Sequence, residues 1–255
     1  METNHKFYNF DNSLERIDEI LDSASSFEDK DDIPKRDTLT YTNGYYLKCC
    51  ALFVDLRDSS KLPQIHQKKV LAKIYRSYIS EIVAILNGFE NCKEINIVGD
   101  CVSAIFKGQF KEQVDDTLSA AAMIRSLIDI LNYKLEKKGY TSIKAGIGLS
   151  WGRVLMIQAG YSGSGLNDVV WMGDAVNQAS KMCSKAMKDV QDPIVVTNDF
   201  YLNLNDNNKK HFTASNPYPT LITPEYYSCG VVNLIMNDWI KQQTEQKNKP
   251  NFNSW

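Results

Sequence analysis

The sequence contains no apolar run near the ~20 residues that a membrane-spanning helix requires, so no membrane insertion is expected. Its first residues set no cationic stretch before an apolar one, the mark of a secretory leader, and a cytoplasmic protein is expected. Basic residues are not in excess: the net charge is −2 and the pI near 6.0, which leaves no basic face for nucleic acid. None of the six cysteines (Cys49, Cys50, Cys92, Cys101, Cys183 and Cys229) stands in a CxxC pair, and three fall inside apolar runs. A disulfide framework and a zinc site are thereby excluded, and reduced, mostly buried thiols are expected. No internal repeat is visible.

What is present is an ordinary globular balance. Hydrophobic residues make up 43% and charged residues 24% of 255, enough for one large self-supporting domain or a core with extensions. Residues 1–44 read as an extension, with a short amphipathic helix marked by Leu14, Ile17, Ile20 and Leu21. Residues 28–32 with Pro34 read as an exposed connection, and Asn43-Gly44 as a turn. Residues 45–236 form the regular part, and residues 237–255 a polar tail that frays after Ile240.

Within the regular part, residues 45–55 read as a buried strand. Ser59 or Ser60 then caps a helix, with Pro63 in its first turn and Leu71, Ile74, Tyr75, Tyr78, Ile82, Ile85 and Leu86 on one stripe. Residues 94–98 and 101–106 form a hairpin about Gly99-Asp100. A second helix carries Val114, Leu118, Ala121, Ile128, Leu131 and Leu135, and Ile143, Ala145, Ile147 and Leu149 alternate as a strand. The order is βαββαβ, an α+β ferredoxin-like core of helices layered on an antiparallel sheet. Further elements extend it: a strand over 152–160, a loop over 161–165, a helix from Asp174, and a mixed strand–helix–strand closure over 194–235.

Two aspartates gain meaning from this topology. Asp55 ends the first strand and Asp100 tips the hairpin, and the βαββαβ order puts those strands side by side. Alone, Asp55 is a helix cap and Asp100 a turn residue. Together they form a pair of like charges that is costly unless a cation lies between them. Hard carboxylate oxygens suit Mg²⁺ or Mn²⁺, which also recruit phosphates.

The motifs around them resemble those of the class III adenylate and guanylate cyclases. Phe53-Val-Asp55-Leu-Arg-Asp-Ser-Ser60 is similar to their first metal motif, and Asn96-Ile-Val-Gly99-Asp100-Cys-Val-Ser-Ala104-Ile-Phe106 to their second. Trp171-Met-Gly173-Asp-Ala-Val-Asn177-Gln-Ala-Ser-Lys181-Met182 resembles the helix that binds ribose and triphosphate, and Ala145-Gly-Ile-Gly-Leu-Ser-Trp-Gly152 the strand joining them. The resemblance implies that Asp55 and Asp100, with Leu56 beside them, hold two metal ions. It implies that Asn177 orients the ribose and Lys181 meets the phosphates. Asn177 and Lys181 are four apart and share a helix face, opposite a stripe of Val176, Ala179, Cys183 and Ala186. Phe53 would pack on the base. Backbone amides from Leu56 to Ser59 would cradle phosphates, with Arg57 as a phosphate or partner contact. A homodimer with two shared sites is implied, one subunit giving the aspartates and its partner the Asn and Lys.

Departures from the family pattern bear on the substrate. An Arg usually stands at the position of Lys181, and lysine keeps the charge without the fork of donors. Asn96 replaces the Lys of adenylate cyclases and the Glu of guanylate cyclases, and Val170 the second base-reading residue. A site without those groups is not built for a purine, whereas Asn offers a donor and an acceptor to a pyrimidine. With the Thr42-Asn-Gly-Tyr-Tyr46 lead-in and Asp-x-Arg-x-Ser-Ser, the chain looks like the pyrimidine cyclases of bacterial Pycsar anti-phage systems. That implies cyclic UMP from UTP, with cyclic CMP from CTP next, and a separate effector protein. The rivals are a purine cyclase and a degenerate cyclase domain that senses nucleotides by dimerising. The Gly-Gly-Asp/Glu-Glu-Phe turn of diguanylate cyclases is absent.

Overall fold

A computed structural model describes residues 2–3, 5–162, 165–215 and 224–248. Helix α1 (Phe10–Asp22) is capped by Asn9, whose side chain accepts from the Asn12 amide, and buries none of its residues. Strand β1 (Ser26–Asp29) follows. The core then runs β2 (Asn43–Leu56), α2 (Leu62–Ile65), α3 (Lys68–Asn87), β3 (Cys92–Val98), β4 (Cys101–Lys107), α4 (Lys111–Glu136) and β5 (Ala145–Tyr161). Beyond it lie β6 (Leu166–Met172), α5 (Asp174–Lys185), β7 (Ile194–Thr197), α6 (Asn198–Asn203), α7 (Asp206–Lys209), β8 (Thr213–Ser215), β9 (Tyr226–Cys229) and α8 (Leu234–Asn248).

The sheet order is β3-β4-β2-β5-β7-β9-β8. Its first four strands are each antiparallel to their neighbours and, joined through α3 and α4, form the ferredoxin-like α+β core. Strand alternation divides the apolar residues between two faces. One face carries Cys50, Leu52, Val54, Val102 and Phe106 against Ile74, Tyr78, Ile82 and Leu86 of α3 and the apolar stripe of α4. The other carries Tyr45, Leu47, Cys49, Ala51 and Ile105 against Ala175 and Ala179 of α5, with Leu39 from the N-terminal segment. The cysteines are all free thiols, with Cys49, Cys50, Cys183 and Cys229 buried. Among the described residues no helix is long and apolar enough to cross a membrane.

Several local readings need correction. Residues 28–32 are not wholly a connection, because Glu28 and Asp29 belong to β1, which pairs in parallel with the start of β2. Asn43-Gly44 opens β2 instead of forming the turn, which sits at residues 41–42. Neither Ser59 nor Ser60 caps a long helix: residues 59–61 form a 3₁₀ turn after Asp58, α2 is a single turn, and α3 begins only at Lys68. The expected strands around Ala145 and over 152–160 are one 17-residue strand, which β6 joins as a hairpin. Helix α8 continues through residues 241–248, where fraying was expected. Residues 163–164, 216–223 and 249–255, within the expected loop, closure and tail, lie outside the described residues.

Candidate active site

The two aspartates meet because β2 and β4 are neighbours. The register sets Val54 opposite Val102, which brings Asp55 beside the start of β4 and the Gly99-Asp100 turn. Gly99 has φ +63°, the left-handed conformation that lets the two-residue turn close. Burial, and then the Asp100 charge, hold the Asp55 carboxyl above the usual carboxylate range, against the lowering pull of Arg57. Asp100 Oδ2 is buried and, among the described residues, has no hydrogen-bond partner. A partnerless buried carboxylate oxygen beside a second carboxylate is the arrangement a cation relieves.

The chemistry of the surroundings favours a hard cation over a soft one. The Cys101 thiol is pushed up to about 11 and the Cys183 thiol to about 12, in both cases chiefly by burial. Both stay protonated near neutrality, so the site offers carboxylate oxygen, not thiolate. Among the described residues no group of three or more His, Cys, Asp and Glu could hold a metal ion. A two-carboxylate set suits a hard ion such as Mg²⁺ or Mn²⁺, which takes its other ligands from water and phosphate. The buried side chain of Leu56 carries no ligand atom, which leaves only its backbone to serve.

Arg57 is engaged differently from the expected phosphate contact. Its side chain is 13% exposed. Nε donates to the Ala186 carbonyl at 3.0 Å, Nη2 to the Cys183 carbonyl, and Nη1 to Asp55 Oδ2 at 3.3 Å. All three nitrogens therefore serve the C-terminal end of α5 and the acid pair, where a cation also complements the helix dipole. Gly146 makes room for it, since a Cβ there would lie 2.0 Å from Nη2. Arg57→Met should lower the unfolding free energy by about 3 kcal/mol, because buried carbonyls lose charged donors. Urea melts of the two proteins measure this.

Ser59 lies half-buried in the 3₁₀ turn. The Arg57 amide already donates to the Lys144 carbonyl at 2.8 Å, so the amides over residues 56–59 are not all open to a phosphate.

Helix α5 sits backbone-to-backbone on β5 at Gly148, where a Cβ would meet the Cys183 nitrogen at 2.0 Å. Ala175, Ala179, Met182 and Cys183 are buried there, while Asn177 and Lys181 point outward on the exposed face. Among the described residues neither side chain is hydrogen-bonded or ion-paired to Asp55 or Asp100. The base-reading positions divide likewise. Ser103 pairs with both Phe53 and Asn96, so these three residues form one cross-strand row on a single face. Val170 stands on β6, opposite Ile157.

Sequence reasoning treated Tyr75 and Tyr78 only as core. Both hydroxyls lie within the field of the acid pair and are raised, first by burial and then by nearby charges including Asp55 and Asp100. Among the described residues the buried Tyr78 hydroxyl has no partner. Two polar tips three apart on an apolar stripe were the available signal.

A profile of the Adenylate and Guanylate cyclase catalytic domain family matches residues 42–221. Two proteins named Uridylate cyclase are similar. That of Gulbenkiania mobilis is 50% identical over 80% of this chain and 82% of its own length. That of Treponema porcinum is 37% identical over 92% of this chain and 82% of its own. The crystal structure of the adenylyl cyclase CyaB from P. aeruginosa shares the fold, with TM-score 0.61 and 18% identity over 73% of this chain and 95% of that one. With the paired aspartates at the strand end and hairpin tip, and the Asn and Lys on one helix face, the chain belongs to the adenylate and guanylate cyclase catalytic-domain family.

Proposed function

We propose that the protein is a uridylate cyclase, converting UTP to 3′,5′-cyclic UMP and pyrophosphate in a homodimer with shared sites. The observation that carries the substrate class is the Phe53–Ser103–Asn96 row, which presents an aromatic face and a neutral amide where purine cyclases carry Lys or Glu. The two relatives named for uridylate support the same reading. Asn96 donates to one pyrimidine carbonyl and accepts from the ring N–H. Val170 adds no polar group, so a purine edge would leave its own donors unpaired.

In the reaction the ribose 3′-oxygen attacks the α-phosphorus. The O3′–P bond forms, the bond to the bridging oxygen breaks, and pyrophosphate leaves with the electron pair while the 3′-hydroxyl proton passes to solvent. Bound Mg²⁺ or Mn²⁺ would supply charge neutralisation and a lowered pKa for the 3′-hydroxyl. Asp55 and Asp100 hold that charge in place. Asn177 orients the ribose, and Lys181 stabilises charge on the triphosphate. Arg57 fixes the acid strand to the end of α5 and touches no substrate. The exposed, separate placement of Asn177 and Lys181 supports their serving the partner's acid pair. The cyclic nucleotide acts in the cytoplasm as a second messenger of anti-phage defence, read by a separate effector protein.

Purified protein incubated with equal ATP, GTP, CTP and UTP and Mn²⁺ tests this. Cyclic UMP is the expected dominant product by mass spectrometry. Cyclic CMP would move the assignment to CTP, and a cyclic purine would overturn the pyrimidine reading.

A further inference from the structure

Residues 33–39 precede the family match, which starts at residue 42, yet they pack on the sheet face that carries Phe53 and Asn96. Leu39 is buried, and Ile33 packs, in the cluster that Phe53 and Val169 also join. Between them, a 3₁₀ turn (Arg36–Thr38) is tied to the start of β2. Asn43 Nδ2 and the Tyr45 hydroxyl both donate to the Thr38 carbonyl, at 2.9 and 3.1 Å.

That turn presents Arg36 to two strands at once. Nε donates to Glu94 Oε2 at 3.2 Å, Nη2 donates to Glu94 Oε1, and Nη1 donates to Asp168 Oδ1 at 3.1 Å. The Glu94 side chain is only 7% exposed, and this two-pronged contact is what holds it there. Glu94 lies two residues before Asn96 on β3, and Asp168 two before Val170 on β6. Residues two apart on a strand share a face. Arg36 therefore grips the same-face neighbour of each base-reading residue. Among the described residues no strand pairing does this job: β3 pairs with β4, β6 pairs with β5, and β4, β2 and β5 separate them in the strand order.

We infer that Arg36 is a positioning residue for base selection, setting the spacing between Asn96 and Val170 through Glu94 and Asp168. The inference rests on reading Asn96 and Val170 as the base-facing pair. It places a specificity element in the N-terminal segment, outside the part of the chain that matches the family.

The test compares the full-length wild type with Arg36→Met, Arg36→Lys and the double variant Arg36→Met/Glu94→Gln. Each is assayed for kcat and KM on its preferred triphosphate and for products from the four-triphosphate mixture. The double variant leaves no buried charge unpaired and keeps the fold, checked by its melting temperature. In Arg36→Met and in the double variant, KM should rise by about tenfold while kcat stays within about twofold, and minor products should increase. Arg36→Lys keeps charge without the fork, so its melting temperature should recover further than its selectivity. A double variant that melts normally with unchanged KM and product ratio would overturn the inference. So would a fall in kcat with KM and product ratio unchanged. If the wild type makes a cyclic purine, the pyrimidine reading fails alone, and the same KM and product ratios still judge Arg36.

Discussion

Replacing Asp55 with Ala should lower cyclic nucleotide formation by about a thousandfold or more, without a fall in the melting temperature of the chelator-treated protein. The first half follows from the site, where two carboxylates converge among the described residues, so losing one halves their hold on a cation. The second half follows from the cost of keeping that carboxylate ionised. Burial and Asp100 raise the Asp55 pKa in the folded state above its ordinary 3.8. As pH rises from that value, the unfolded chain loses its proton first, so folded stability is lost until the folded pKa is passed. At neutral pH the ionised group is therefore a burden on the metal-free fold, and alanine removes it. Mn²⁺ reverses the order: it should raise the wild-type melting temperature by mass action and leave Asp55→Ala largely unmoved. Mass-spectrometric rates and thermal melts, each with Mn²⁺ and with chelator, measure both halves. Retained turnover in Asp55→Ala would sink the role given to the acid pair.

The acid pair was legible because it depends on local patterns. Strand alternation up to Asp55, the Gly99-Asp100 turn and the two helical stripes determine the βαββαβ order, and that order puts the two carboxylates together. The exposed face of α5 was legible for the same reason, from the four-residue spacing of Asn177 and Lys181. Residues whose partners are remote were not. Arg57 reads as a charge near a phosphate motif, but its carbonyl acceptors lie 126 and 129 residues away. Arg36 looks like any arginine in a polar stretch, and its carboxylates are 58 and 132 residues off. Strand β1 was missed because Ser26, Phe27, Glu28 and Asp29 are all exposed, so no apolar alternation marks it. From sequence, β5 divides into one strand near Leu149 and another over 152–160, but β2 pairs with it along both halves.

Mixing two inactive proteins should restore activity. In the proposed dimer each site takes Asp55 from one subunit and Asn177 from its partner. Asp55→Ala homodimers and Asn177→Ala homodimers each have two damaged sites. A heterodimer of the two has one site with both lesions and one with neither. Co-expressed at equal levels, random pairing makes about half the dimers mixed, so the preparation should show about a quarter of the wild-type rate. The converse mixture is as informative. Wild type paired with an Asp55→Ala/Asn177→Ala double variant has one lesion in each site of the mixed dimer, so only wild-type homodimers turn over, again giving about a quarter. If each site lay within one chain, the first mixture would stay inactive and the second would keep about half the wild-type rate. The outcome turns on α5, which is held against β5 of its own chain at Gly148 while presenting Asn177 and Lys181 outward. That geometry lets one helix be anchored in one subunit and act in the other, and recovery in the first mixture alone, with no excess in the second, is the result that requires it.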